Sequence, residues 1–171
     1  MAINSHVNVH NIVMCANFIL RRDNKYLLLK RSPLKKVAPN FLHIPGGKID
    51  SDEDPMTAAQ RELYEETGPK AQNIKIEAVV TEVHPISSDK YQNTWLVYYF
   101  SGEYESGDLK DTEEGELLWL ELNEIDKEKM FPSVKEIVEK MFDRQIGTIF
   151  ARFVYDQNQE ITEKQIHFCS A

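Results

Sequence analysis

Cysteine is scarce in this sequence: of 171 residues only Cys15 and Cys169 carry a thiol. Two such residues, far apart and without metal-ligand spacing, supply neither a disulfide framework nor a thiolate metal site. Long apolar runs are missing too, since none approaches the roughly 20 residues that a membrane-spanning helix needs, and no secretory apolar segment stands at the start. These absences predict a reduced, cytoplasmic setting. Basic charge is in deficit, with 20 Lys and Arg against 28 Asp and Glu and a net charge of -8. That balance disfavours a nucleic acid duplex as partner, because a phosphate backbone is met by basic faces. It leaves open a small nucleotide held through a cation. There is no internal repeat and no low-complexity segment, and 42% hydrophobic residues in a chain of this length predict one domain over residues 1–171 with a proper core.

The most informative stretch runs from Gly46 to Pro69 and reads as loop, helix, loop. Asp54 is a helix cap, Pro55 suits the first turn, where its missing N–H costs nothing, and Gly68 supplies the stop. At 3.6 residues per turn Glu62, Glu65 and Glu66 stand at i, i+3 and i+4, so three carboxylates crowd one stripe. Met56, Ala59 and Leu63 form a second stripe that faces the core. On their own Glu65 and Glu66 read as a solvated acidic face. Like charges at this spacing cost a few tenths of a kcal/mol per pair without a counter-ion, however, and hard oxygens converging on one point are what Mg²⁺ or Mn²⁺ takes, with substrate phosphates completing its shell. The cluster therefore predicts a divalent cation on a phosphorylated substrate.

The constellation of Gly47, Glu53, Arg61, Glu62, Leu63, Glu65, Glu66 and Gly68 resembles the signature of the Nudix hydrolases, G-x5-E-x7-R-E-U-x-E-E-x-G-U with U aliphatic. Only the last position departs, as Pro69. The resemblance implies a Mg²⁺-dependent pyrophosphohydrolase with Glu62, Glu65 and Glu66 on the metal, joined by the carbonyl of Gly46. It gives Arg61 a structural task, pinning the loop to the helix through Glu53. It makes Glu62 the carboxylate nearest the attacking water. It also implies a further carboxylate from the acidic loop at 102–116, as metal ligand or base, and Glu114 is the choice over Glu113 and Glu116; a solvated loop acid is the alternative. Relatives in this family are often homodimers.

Around this stretch the pattern is that of a mixed sheet. Residues 1–7 read as a mobile start, and Val9 to Leu20 and Tyr26 to Lys30 as a hairpin turning at Asp23-Asn24-Lys25. The loop from Arg31 to Phe41, with Lys35 and Lys36, is either a solvated basic loop or a lip that attracts phosphates. It leads to a short strand, Leu42-His43-Ile44, and a glycine turn, where Gly47 allows close backbone approach and Lys48 is placed to meet a phosphate. Further strands are predicted at Ile74 to Val83, at Thr94 to Phe100 as the central one, and at Leu117 to Leu122. Ser133-Val134-Lys135-Glu136 reads as a capping box opening an amphipathic helix that buries Val134, Ile137, Val138, Met141 and Phe142. Ile149 to Tyr155 and Ile161 to Phe168 read as a closing hairpin. The sum is α/β: an α/β/α sandwich around a central mixed sheet.

The segment from Gly147 to Asp156 and the Pro45-Gly46-Gly47-Lys48-Ile49 turn are similar to those of MutT-like Nudix enzymes that hydrolyse oxidised-purine nucleoside triphosphates. Such a substrate is placed first, with His43, Phe41 and Phe131 beside Gly47 and Lys48 as substrate-binding residues; core packing is the other reading of the two aromatics. An Asn or acidic pair near the start of the second helix is absent, leaving Ser133, Val134 and Lys135, and His43 stands where some relatives carry Asn. Pro85, sixteen residues after Pro69, is a marker of ADP-ribose-cleaving Nudix enzymes, which makes ADP-ribose or another nucleoside diphosphate sugar the alternative. A non-catalytic domain that senses nucleotides or binds RNA is a third reading. The complete Glu62, Glu65 and Glu66 set and the acidic balance argue against it.

Overall fold

Alternation along β1 (Ile12–Arg22) dictates the layering of this protein. Cys15 and Ile19 point into one apolar cluster, and Ala16, Phe18 and Leu20 into another on the opposite face of the sheet. A strand buried on both sides needs cover on both sides. In the computed structural model, which describes residues 12–85, 93–142 and 147–169, helices supply it. The start at 1–7 and most of the turn-rich loop expected at 84–90 lie outside the described residues.

β1 turns at Asp23, whose φ is +56°, into β2 (Lys25–Arg31). The short β3 (Leu42–His43) and β4 (Gly46–Lys48) follow, then α1 (Pro55–Thr67), β5 (Lys70–His84) and β6 (Asn93–Ser106). The chain continues through β7 (Gly115–Leu120), α2 (Leu122–Ile125), α3 (Pro132–Phe142), β8 (Ile149–Tyr155) and β9 (Ile161–Phe168). Among the described residues nine strands form one sheet in the order β3-β2-β1-β6-β5-β8-β9, with β4 paired to β1 and β7 to β2. β1–β6 and β5–β8 are parallel and the other pairs antiparallel. The mixed sheet is as predicted.

α1 covers one face through Ala58, Ala59 and Leu63, while α3 covers the other through Val134, Ile137, Val138, Met141 and Phe142. Burying a leucine as completely as Leu63, at 1% exposure, stabilises by about 2 kcal/mol. The sandwich thus has its helices on opposite faces, and each predicted helix is where its apolar spacing put it.

Three local expectations are corrected. Met56 is exposed, and Ala58 takes the inward place beside Ala59 and Leu63. Ser133 is no cap: Pro132 opens α3, and the buried Ser133 hydroxyl is taken by Glu82, 51 residues away in sequence. The acidic loop is shorter than expected, since β6 runs on to Ser106. A bulge in β5 decides which face of the sheet its later residues reach. Ile74 and Ile76 pack on the α1 side, yet Ala78 and Val80 pack on the α3 side, so the register shift between Ile76 and Ala78 turns an unbroken sequence alternation onto the other face.

Candidate active site

The cap and stop of α1 are as the sequence predicts. Asp54 Oδ1 accepts from the N–H groups of Met56 and Thr57 at 2.9 and 3.1 Å. Gly68, at φ +100°, donates to the Tyr64 carbonyl at 3.0 Å. β4 lies alongside β1, with Gly47 opposite Ala16 and Gly46 opposite Asn17, which brings the glycine turn against the C-terminal half of α1. Contact there is close. A Cβ on Gly47 would lie 2.5 Å from Oε1 of Glu62 and 2.8 Å from Oε2. On Gly46, at φ +154°, it would lie 2.5 Å from the backbone carbonyl of Ala16 and overlap the Asn17 side chain.

Arg61 organises the outer part of the site. Its Nε and one terminal nitrogen donate to the two oxygens of Glu53 at 2.7 and 2.9 Å, the bidentate geometry that makes an arginine–carboxylate pair strong. The same guanidinium donates to Glu62 at 2.8 Å, to Glu65 at 3.2 Å and to the Lys48 carbonyl at 3.1 Å. Glu53 also accepts from the N–H of Asp50 at 3.3 Å. The Arg61 hydrogen bonds hold the Glu53 carboxyl below the usual carboxylate range. Loop, helix and β4 are thereby tied at one guanidinium.

Glu66 is different. One of its oxygens accepts the Gly46 N–H at 3.0 Å, and burial pushes its pKa up to about 7. The hydrogen bond pulls the other way, while the charges of Glu62 and Glu114 raise it further. The structure therefore brings Glu62, Glu66 and Glu114 into one neighbourhood and leaves Glu65 on the outer side, 58% exposed and held by Arg61. Glu114 itself is paired with Lys35 at 2.5 Å, and its carbonyl accepts the Ser32 N–H at 2.9 Å, so the basic and acidic loops are joined here. Among the described residues no three acidic, His or Cys side chains stand in finished metal-ligand geometry; Glu62 and Glu65 are held by Arg61. The donor set nonetheless fits a divalent cation: hard oxygens only, with a half-buried carboxylate whose anionic form is repelled by two neighbours and would be relieved by positive charge.

Phe41, His43 and Phe131 also come together, and Phe131 packs against the apolar cluster on the α3 side. The ring centroids of Phe41 and Phe131 are 5.6 Å apart, and those of His43 and Phe131 are 6.1 Å apart, edge to face. Burial, with the charge of Arg31, lowers the His43 pKa to about 4, so the imidazole is neutral near pH 7; among the described residues its buried Nδ1 has no hydrogen-bond partner. Lys48 is exposed, opposite Cys15 in the β1–β4 register.

Sequence reasoning missed Glu82, which lies on β5 beneath the start of α3. Its one sequence signal was phase: it continues the alternation of Ala78 and Val80 and is thus an inward carboxylate.

Fold and site together define a hydrolase of the kind that works on phosphoric anhydrides with a divalent metal ion. The NUDIX domain family matches residues 11–141, and the chain belongs to that family. It is 30% identical to the uncharacterized Nudix hydrolase YvcI of Bacillus subtilis over 85% of this chain and 88% of that one. It is 30% identical to an RNA pyrophosphohydrolase of Pelagibacter ubique, over 73% and 89% of the two chains. To the 8-oxo-dGTP diphosphatase of Escherichia coli it is 28% identical, over 72% and 91%. In fold it matches the crystal structure of a MutT protein from Bacillus halodurans with a TM-score of 0.78 at 22% identity, covering 90% of this chain and 97% of that one. Among the described residues no helix is long and apolar enough to cross a membrane.

Proposed function

We propose that this Nudix hydrolase is a Mg²⁺-dependent pyrophosphohydrolase of nucleoside triphosphates, oxidised purine forms included, releasing a nucleoside monophosphate and pyrophosphate. The observation that carries the proposal is the half-buried Glu66 carboxylate, hydrogen-bonded to Gly46 and near the charges of Glu62 and Glu114. Such a site is built to hold positive charge against a polyphosphate. In this reading Glu62, Glu65 and Glu66, the Gly46 carbonyl and Glu114 would hold Mg²⁺, or Mn²⁺ in its place. The bound ion supplies Lewis acidity toward the phosphate oxygens and a lowered pKa for water.

The chain's own residues do the rest. Glu62 orients a water against one phosphorus and takes its proton; a new P–O bond forms as the bridging P–O bond of the anhydride breaks, and the electron pair leaves on pyrophosphate. Lys48 neutralises the outer phosphates. Arg61 fixes Glu62, and Glu53 fixes Arg61, so that positioning and electrostatics supply most of the rate. Phe41 and Phe131, with neutral His43 between the aromatic wall and the glycine turn, take the base. The E. coli relative is named for an oxidised guanine triphosphate, which supports this order of substrates.

ADP-ribose or another nucleoside diphosphate sugar is the rival, favoured by Pro85. The discriminating experiment is a panel with product identification: triphosphates, oxidised triphosphates, triphosphate-ended RNA, ADP-ribose, NADH and dinucleoside polyphosphates. Pyrophosphate released from triphosphates at the highest kcat/KM supports the proposal; AMP and ribose phosphate from ADP-ribose at a higher kcat/KM would replace it.

A further inference from the structure

The inference rests on the nucleotide reading above and gives that nucleotide its base. Glu82 stands abreast of Trp95 on β6, which stands abreast of Val13 on β1. All three are half-buried, and Val13 and Trp95 pack against the cluster on the α3 side. Above them Ser133 donates its hydroxyl to Oε1 of Glu82, two residues beyond the ring of Phe131. The other oxygen lies 3.6 Å from Nε2 of His84. Among the described residues no lysine or arginine pairs with this carboxylate. Phe131 packs against the same apolar cluster as Val13 and Trp95, so Glu82 lies on the side of the sheet that carries this ring.

An ionised carboxylate has about four acceptor positions on two oxygens, and one hydroxyl fills only one of them. Keeping such a group half-buried beside aromatic rings is costly unless further donors reach it. A flat ring that brings two adjacent N–H groups meets that need, since parallel N–H donors match the two oxygens. Among the common bases guanine alone has such an edge, from N1–H and the 2-amino group. Adenine sets an acceptor beside its donor, and the pyrimidines place their ring N–H or amino group beside acceptors. Oxidation of guanine at C8 leaves this edge unchanged. We infer that Glu82 selects a guanine-type base, its two oxygens accepting N1–H and the 2-amino group while Ser133 fixes the carboxylate's orientation.

Three measurements test this. Wild-type protein should hydrolyse dGTP at least about tenfold better in kcat/KM than dATP, and dITP, which lacks the 2-amino group, about tenfold worse than dGTP. Glu82→Gln should cut kcat/KM for dGTP by about thirtyfold or more while leaving dATP within about threefold or improved, because an amide matches the donor–acceptor edge of adenine. A thermal melt reports whether the variant folds, and the dITP comparison needs no variant. Equal losses on both bases would mean that Glu82 only props Ser133 and would overturn the inference. Hydrolysis of triphosphates by wild type with no guanine preference, or with dITP equal to dGTP, would overturn it while leaving the proposed reaction intact. Hydrolysis of no triphosphate at all would remove both.

Discussion

Gly46 and Gly47 are adjacent, yet the structure predicts opposite consequences for replacing each by alanine. On Gly47 the three atoms nearest the new methyl all belong to the carboxylate of Glu62, at 2.5 to 2.8 Å. To restore an ordinary contact of about 3.5 Å the carboxylate must retreat by about 1 Å. It is the end of a flexible side chain, so it can. The same retreat takes it off Arg61, which it now meets at 2.8 Å, and out of the position proposed for water and metal. A displacement of about 1 Å at a reacting group costs on the order of a hundredfold, or about 2.7 kcal/mol of barrier. On Gly46 the methyl meets the backbone of Ala16 and Asn17, which cannot step aside, at a φ that L side chains rarely adopt. Overpacking and strain together cost about 2–4 kcal/mol, a fall in Tm of roughly 5–15 °C for a chain of this size. Steady-state kinetics with a nucleotide triphosphate, beside scanning calorimetry of both variants, separate the two. Gly47→Ala should keep Tm within about 3 °C of wild type and lose about two orders of magnitude in kcat/KM. A Gly47→Ala enzyme with wild-type turnover would refute the placement of Glu62 at the reacting centre.

Glu62→Gln should fold normally and lose at least about two orders of magnitude in kcat, the scale of a positioned acid–base group; unchanged turnover removes Glu62 from the mechanism. Arg61→Ala should lower both Tm and activity, since one guanidinium joins Glu53, Glu62, Glu65 and the Lys48 carbonyl, and a wild-type melt would show that pin to be idle. Glu66 predicts a pH effect through its pKa, raised in the fold to about 7. Between the ordinary carboxylate value and about 7 the folded state binds the extra proton, so without metal this contribution to stability is full in acid and lost as pH rises through that window. Metal-free protein should therefore lose melting temperature from about pH 5 to about pH 8 and regain it with Mg²⁺, whereas Glu66→Gln should flatten the slope; an equal slope in both proteins would contradict it. Glu53 has the opposite sign, its carboxyl held low by Arg61, so its contribution is present above the ordinary carboxylate value and lost as pH falls through its folded one. Glu53→Gln should accordingly blunt acid unfolding, read by circular dichroism.

What the sequence determined by itself is what depends on near neighbours. Asp54, Pro55 and Gly68 set the ends of α1, and a 3.6-residue repeat set three glutamates on one stripe, because capping and helical phase are decided within a turn or two. The β1–β2 hairpin, the closing β8–β9 hairpin and the inward face of α3 were legible for the same reason. Tertiary structure decided what hangs on distant partners. It turned Ser133 from a cap into a hydroxyl held by Glu82, joined Lys35 to Glu114 across two loops, and bound the half-buried Glu66 to Gly46 while leaving Glu65 outside. Above all, one register shift in β5 moved Ala78, Val80 and Glu82 to the face under α3. A bulge leaves the alternation of residue types untouched, so no periodicity records it, and only the strand partners fix which side of the sheet a carboxylate reaches.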